Sequence, residues 1–141
     1  MPFRVTRISA RRALPVSADC MMLSDEEAQA IASVRWMAED FSRRRIYTAW
    51  DYGDDERTFF RGMKRLTAAG IKPRTLMVYM LIGYEPGETH EERDHRRRKL
   101  REFGAMPYPM PYTRDGELGD ELCAFQSWCI QRSLNAEKFD R

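Results

Sequence analysis

The stretch Arg74-Thr-Leu-Met-Val-Tyr-Met-Leu-Ile82 decides the fold class. From Leu76 to Ile82 apolar residues run on without alternating with polar ones. Such a run predicts a strand buried on both faces, the habit of a parallel strand covered on each side. It is also the longest apolar run in the chain. It falls far short of the ~20 residues that a membrane helix needs.

Upstream of this strand, Phe59, Phe60, Met63 and Leu66 share one face of a helix predicted from about Asp55 to Ala69. Gly70 follows where a helix C-cap wants positive φ. Before that helix, Arg45-Ile-Tyr-Thr-Ala-Trp50 predicts a short strand, and Asp51-Tyr-Gly-Asp54 a loop. Further back, Ser24 and Glu27 form a capping box, which satisfies two orphan donors at a helix start. Ala28, Ile31, Val34, Ala38 and Phe41 then recur at helical spacing, so a helix is expected from about Asp25 to Arg43. Residues 1–23 show no clear period, although Phe3, Val5 and Ile8 fit a short strand.

Downstream, Thr89 and Glu92 form a second capping box, and their helix should end at Gly104. Next comes Ala105-Met-Pro-Tyr-Pro-Met-Pro-Tyr112. Prolines at 107, 109 and 111 exclude a helix. In an extended strand alternate N–H groups point the same way, so prolines spaced by two remove donors from one side only. Such a strand pairs on one side and belongs at the edge of an open sheet. A last helix is expected from about Glu117 to Leu134, with Leu118, Leu122, Phe125, Trp128 and Cys129 inward. The alternation of helices and strands predicts an α/β fold with about three parallel strands, flanking helices and right-handed crossovers. The domain should span 24–134, with 135–141 as a tail.

The chain has 141 residues, 43% hydrophobic and 33% charged, which suits one soluble domain with one modest core. A net charge of +2 forces neither a nucleic-acid nor a membrane reading. The N-terminus has arginines and no acid before Asp19, but no apolar signal block, so a cytoplasmic protein is the default expectation. Three cysteines, Cys20, Cys123 and Cys129, are too few and too dispersed for a disulfide framework.

In parallel α/β folds, sites lie at the C-terminal ends of strands. Those ends here carry Trp50-Asp51-Tyr52, Gly83-Tyr84-Glu85 with Glu88, and Pro111-Tyr112-Thr113-Arg114. Carboxylates can accept from ribose hydroxyls, and aromatics can cover a purine. The same residues serve equally well as turn formers and helix caps. His90 and His95 are one residue too far apart for a zinc helix. The run Asp94-His-Arg-Arg-Arg-Lys-Leu-Arg101 reads as the solvated outer face of a helix anchored by Leu100 and Phe103. Phosphate-backbone binding by that basic helix is the less favoured alternative, because no aromatic residues interleave with it.

Several pieces together resemble the second half of certain bacterial and phage members of the radical S-adenosylmethionine superfamily. They are Ile46-Tyr-Thr-Ala-Trp-Asp51, Asp54-Asp-Glu-Arg57, Arg61-Gly-Met63, Ala69-Gly-Ile71, Leu76 to Tyr84, and Arg101-Glu-Phe-Gly-Ala105 with Pro107 to Tyr112. The resemblance covers about Arg45 to Arg132. It implies half of a partial (βα)6 barrel, the three strands being its fourth to sixth. It also implies S-adenosylmethionine and a [4Fe–4S] cluster as cofactors, the cluster held by a CxxxCxxC motif that this sequence does not contain. Metal ligands are therefore not expected in this chain. The nucleoside side can be carried over: Asp51 would suit a ribose contact, and Leu81, Gly83 and Tyr84 fall near the family's GxIxGxxE adenine pattern. Aligned on Gly83, that pattern's first glycine falls on Tyr79 and its glutamate on Pro86, so the match is partial. The resemblance implies one part of a split enzyme, a truncated product or a degenerate copy, unable to generate a radical alone. A non-catalytic binding module using the basic helix is the alternative. The expected partner is a second chain or second copy pairing a strand edge left open near Arg45, with nucleic acid and membrane disfavoured.

Overall fold

A computed structural model describes residues 16–34, 45–113 and 119–139. Four parallel strands form one sheet in sequence order: β1 (Val16–Ser17), β2 (Ile46–Ala49), β3 (Leu76–Ile82) and β4 (Met106–Pro111). Among the described residues four α-helices alternate with them: α1 (Asp25–Ser33), α2 (Glu56–Ala68), α3 (His90–Phe103) and α4 (Asp120–Phe139). The α/β class with a parallel sheet and flanking helices is as expected. The strand proposed around Phe3, Val5 and Ile8 lies outside the described residues, as do Ala38, Phe41 and Leu118.

Local chemistry sets the helix ends. Ser24 and Glu27 form the reciprocal box at α1, and Thr89 and Glu92 form it at α3. Asp55 caps α2 by accepting the Thr58 N–H, and the Thr58 hydroxyl, then this N–H, hold its carboxyl below the usual range. Gly70 (φ +103°) and Gly104 (φ +92°) take the left-handed conformation that ends α2 and α3. Helix α1 is shorter than expected. It stops at Ser33, where the hydroxyl donates to the Ala30 carbonyl, and β-branched Val34 is already extended.

The sheet corrects the sequence reading of β3. Leu76, Val78, Met80 and Ile82 are fully buried, but Met77, Tyr79 and Leu81 between them are only half-buried. The buried set meets Phe59, Met63 and Leu66 of α2, Leu100 of α3, Ala28 and Ile31 of α1, and Phe125 and Cys129 of α4 in one core. Each large apolar side chain so buried contributes about 1.5–3 kcal/mol. Helices therefore pack on one face, and the other face is partly open among the described residues. An uninterrupted apolar run cannot report this, because the open face carries Met, Tyr and Leu instead of polar residues.

At the β4 edge the donor count holds. Tyr112 donates its N–H to the Ile82 carbonyl at 2.8 Å, and alternation puts Tyr108 and Met110 on that same inner side. The proline nitrogens point away from β3, toward the side where the Pro109 carbonyl accepts from Gln126 Nε2 of α4 at 2.9 Å, while the rings of Pro107 and Pro109 are buried. The opposite edge differs from expectation. Beside β2, where no strand was foreseen, β1 pairs Val16 with Ile46 and Ser17 with Tyr47, and Ala18 N–H donates to the Tyr47 carbonyl. Two residues are too few to leave a periodic signal. Close packing beneath this edge depends on Gly62 of α2, where any Cβ would collide with the backbone carbonyl of Cys20.

Candidate functional site

The last backbone rung between β2 and β3 runs from Trp50 N–H to the Tyr79 carbonyl, at 2.9 Å. One step further, β2 has ended, and the Asp51 carboxylate accepts the Leu81 N–H at 3.0 Å. A side chain thus takes the place of the missing strand. Asp51 is itself held by a turn in which its N–H donates to Asp54 Oδ2 at 3.0 Å and Gly53 adopts φ +89°. The structure therefore brings Asp51 and Leu81 together. It places Gly83 (φ +79°) at the end of β3, with its N–H donating to Glu88 Oε2 at 2.7 Å and Leu122 of α4 packed over its Cα. Tyr84 is half exposed and stands edge-on to Tyr112, ring centroids 4.8 Å apart.

These bonds limit what each residue offers a ligand. The Leu81 N–H is taken by Asp51 and its carbonyl by Arg96. The Gly83 N–H is taken by Glu88. What remains for a flat ring is the Leu81 side chain and the Tyr84–Tyr112 pair.

Behind the strand ends lies an ionic cluster that the sequence reading missed. Glu88 is buried and pairs through one oxygen with Arg96 and through the other with Arg93, at 3.4 Å. Arg96 also donates to the carbonyls of Trp50 (2.9 Å) and Leu81 (3.2 Å), so one guanidinium ties the ends of β2 and β3 to α3. Arg93 reaches Glu121 at the start of α4. Burial pulls the Arg96 pKa down, and the adjacent Glu88 carboxylate opposes that shift. Reading the run from Asp94 to Arg101 as a wholly solvated face is therefore wrong for Arg96, and Arg93 beside it is buried too. The signal was present: Arg93, Arg96, Leu100 and Phe103 fall at one-face helical spacing, so both arginines share the stripe that Leu100 anchors. Trp128, expected inward, is 40% exposed and lies under the guanidinium groups of Arg97 and Arg132.

Two grooves open at this end of the sheet, and Asp51 and Asp54 line both. One, of about 550 Å3, lies between Tyr52, Glu56, His95 and Arg96. There His95 Nε2 meets Glu56 at 3.1 Å, while His90 instead lies edge-on to Phe125. The other, of about 570 Å3, lies on the open sheet face against Tyr47 and Tyr79.

The cysteines do not make a cluster site. All three are free, and among the described residues no three His, Cys, Asp or Glu side chains converge as metal donors. Burial pushes the Cys20 thiol up to about 11 and the Cys129 thiol to about 12, the opposite of what a thiolate ligand requires. A [4Fe–4S] cluster does not fit this donor set. No described helix is long and apolar enough to cross a membrane. Set against models of protein families, curated proteins and solved structures, the chain matches none.

Proposed function

We propose that this chain is the C-terminal part of a radical S-adenosylmethionine enzyme, forming the nucleoside-facing side of a partial (βα)6 barrel and unable to generate a radical by itself. The observation that carries the reading is the one-sided sheet. Among the described residues all strands are parallel, the core helices lie on one face, and Tyr47, Tyr79, Leu81 and Tyr108 sit on the other. A barrel wall has this asymmetry, whereas a doubly wound sheet carries helices on both faces. Asp51 and Leu81 at adjoining strand ends would then stand where the resemblance puts ribose and adenine contacts. S-adenosylmethionine would supply a nucleoside for Asp51 to orient through its second carboxylate oxygen and for Leu81 and Tyr84 to cover. The iron–sulfur cluster would have to be held by cysteines of a partner chain, since Cys20, Cys123 and Cys129 are the only cysteines of this sequence.

Calorimetric titration with S-adenosylmethionine tests the reading. Saturable heat at millimolar ligand is expected, reduced at least tenfold in affinity by Asp51→Ala. An absence of heat at that concentration overturns the nucleoside assignment. The basic-helix alternative predicts instead salt-dependent binding of nucleic acid with no response to S-adenosylmethionine.

A further inference from the structure

We propose that the outer face shared by α3 and α4 binds single-stranded nucleic acid on a platform made by Arg97, Trp128 and Arg132. Helix α3 by itself carries cations without an aromatic among them, and α4 supplies the missing ring. The Trp128 indole is exposed, with Arg97 Cζ 4.6 Å and Arg132 Cζ 4.9 Å from its centroid. Two guanidiniums, one from each helix, are thus gathered on one ring. The ring itself is anchored, because Trp128 packs on buried Phe125 with centroids 6.1 Å apart. An anchored ring reduces the conformational freedom that each arginine gives up when a ligand arrives.

Both arginines keep donors for a ligand. A guanidinium stacked on a ring uses its face and leaves its N–H edge available. Arg97 spends Nε on Asp94 Oδ1 at 2.6 Å and retains its Nη groups. Arg132 is exposed, and among the described residues it has no carboxylate partner. Neither has half-buried Arg101, one turn past Arg97 on the same face of α3.

The partner follows from what these groups offer together. Guanidinium edges match phosphate oxygens, and guanidinium planes stack with unpaired bases. An acidic peptide would use the edges and leave the planes and the indole without a partner. A duplex presents phosphates but keeps the faces of its bases stacked inside. A single strand uses edge, plane and ring at once. Neither groove at the strand ends is lined by Arg97, Trp128 or Arg132, so this face stands apart from Asp51, Leu81, Gly83 and Tyr84.

The test uses the full chain and a fluorescently labelled oligouridylate, read by anisotropy over a salt series. Saturation in the micromolar range at low salt is expected, with affinity falling as salt rises. Trp128→Ala keeps every charge and should weaken binding at least about fivefold. Arg132→Gln should keep the thermal midpoint, weaken binding about threefold and lower the salt slope by about 0.7. Arg57→Gln removes an equal charge from an exposed site on α2 and should leave affinity unchanged. The proposal is overturned if oligouridylate does not saturate, or if its duplex with oligoadenylate or a polyglutamate binds equally well. It is also overturned if a folded Trp128→Ala binds like the wild type, or if Arg57→Gln weakens binding as much as Arg132→Gln. Should Trp128→Ala fail to fold, the comparison of Arg132→Gln with Arg57→Gln decides. Strand binding and S-adenosylmethionine binding use different residues, so the failure of either leaves the other standing.

Discussion

Asp51 continues the β2–β3 ladder one rung past the end of β2, its carboxylate accepting the Leu81 N–H at 3.0 Å. The bond joins two residues 30 apart in sequence and fixes the geometry from which both grooves open. Removing the side chain leaves a partly buried donor unpaired. Asp51→Ala should cost about 1–3 kcal/mol in denaturant unfolding, and Asp51→Asn, which keeps an acceptor, distinctly less. Amide exchange at Leu81 should accelerate in the alanine variant; an unchanged rate would show that the bond is not maintained in solution.

Glu88 is the hub of the buried ion cluster, with both oxygens used by Arg93, Arg96 and the Gly83 N–H. Glu88→Ala leaves buried Arg96 with carbonyl acceptors but no adjacent carboxylate, and leaves Arg93 with Glu121 alone. A loss of about 3–5 kcal/mol is expected, because breaking a buried pair exposes the surviving charge to the full desolvation penalty. A thermal midpoint within a degree or two of wild type would contradict this.

Gly62 allows α2 to pass over the Cys20 backbone. Its obstacle is a main-chain carbonyl, which cannot rotate aside. Gly62→Ala should therefore destabilise by about 1–3 kcal/mol despite alanine's better helix propensity, as an overpacked core does. Ala68→Gly, at an exposed position near the end of the same helix, supplies the contrast, with a loss of about 1 kcal/mol or less from propensity alone.

The buried thiols make stability fall at alkaline pH. An unfolded cysteine titrates near 9.0, while folding holds Cys20 protonated to about 11. Between those values the folded state binds more protons than the unfolded one, so stability is fully present below pH 9 and is lost as pH rises toward 11. Cys129 acts in the same direction. The double variant Cys20→Ser/Cys129→Ser should show a flatter profile over this window. In the wild type near pH 8, iodoacetamide should modify half-buried Cys123 before either buried thiol.

The prolines of β4 remove donors from its free side. Pro109→Val restores one N–H there while keeping an apolar side chain on the core face. Concentration-dependent association should rise in sedimentation velocity, more so in Pro107→Val/Pro109→Val. Unchanged sedimentation up to high concentration would mean that Gln126 and α4 alone protect this edge.

Much of this was legible because single residues carry it. The boxes at Ser24 and Thr89, the left-handed glycines at 70 and 104, and the spacing of Pro107, Pro109 and Pro111 each follow from one local rule. What was not legible depends on partners distant in sequence. Val16–Ser17 becomes a strand only because Ile46 and Tyr47 are there to pair with it. The half-open face of β3 depends on which side the helices choose. Of the site residues, Asp51 was found from its place after β2, but its engagement with Leu81 required the register. Glu88 looked like a turn residue, and only α3 supplies the arginines that bury it.

The proline-blocked margin also gives the sheet a direction of growth. On the side away from β3, β4 offers no backbone donors at 107, 109 or 111, whereas among the described residues the other margin is β1, Val16–Ser17, which has no proline. Among the described residues, the margin that keeps its backbone donors is the β1 side. Strand β4 is in this sense a terminator, a margin past which a parallel sheet does not extend.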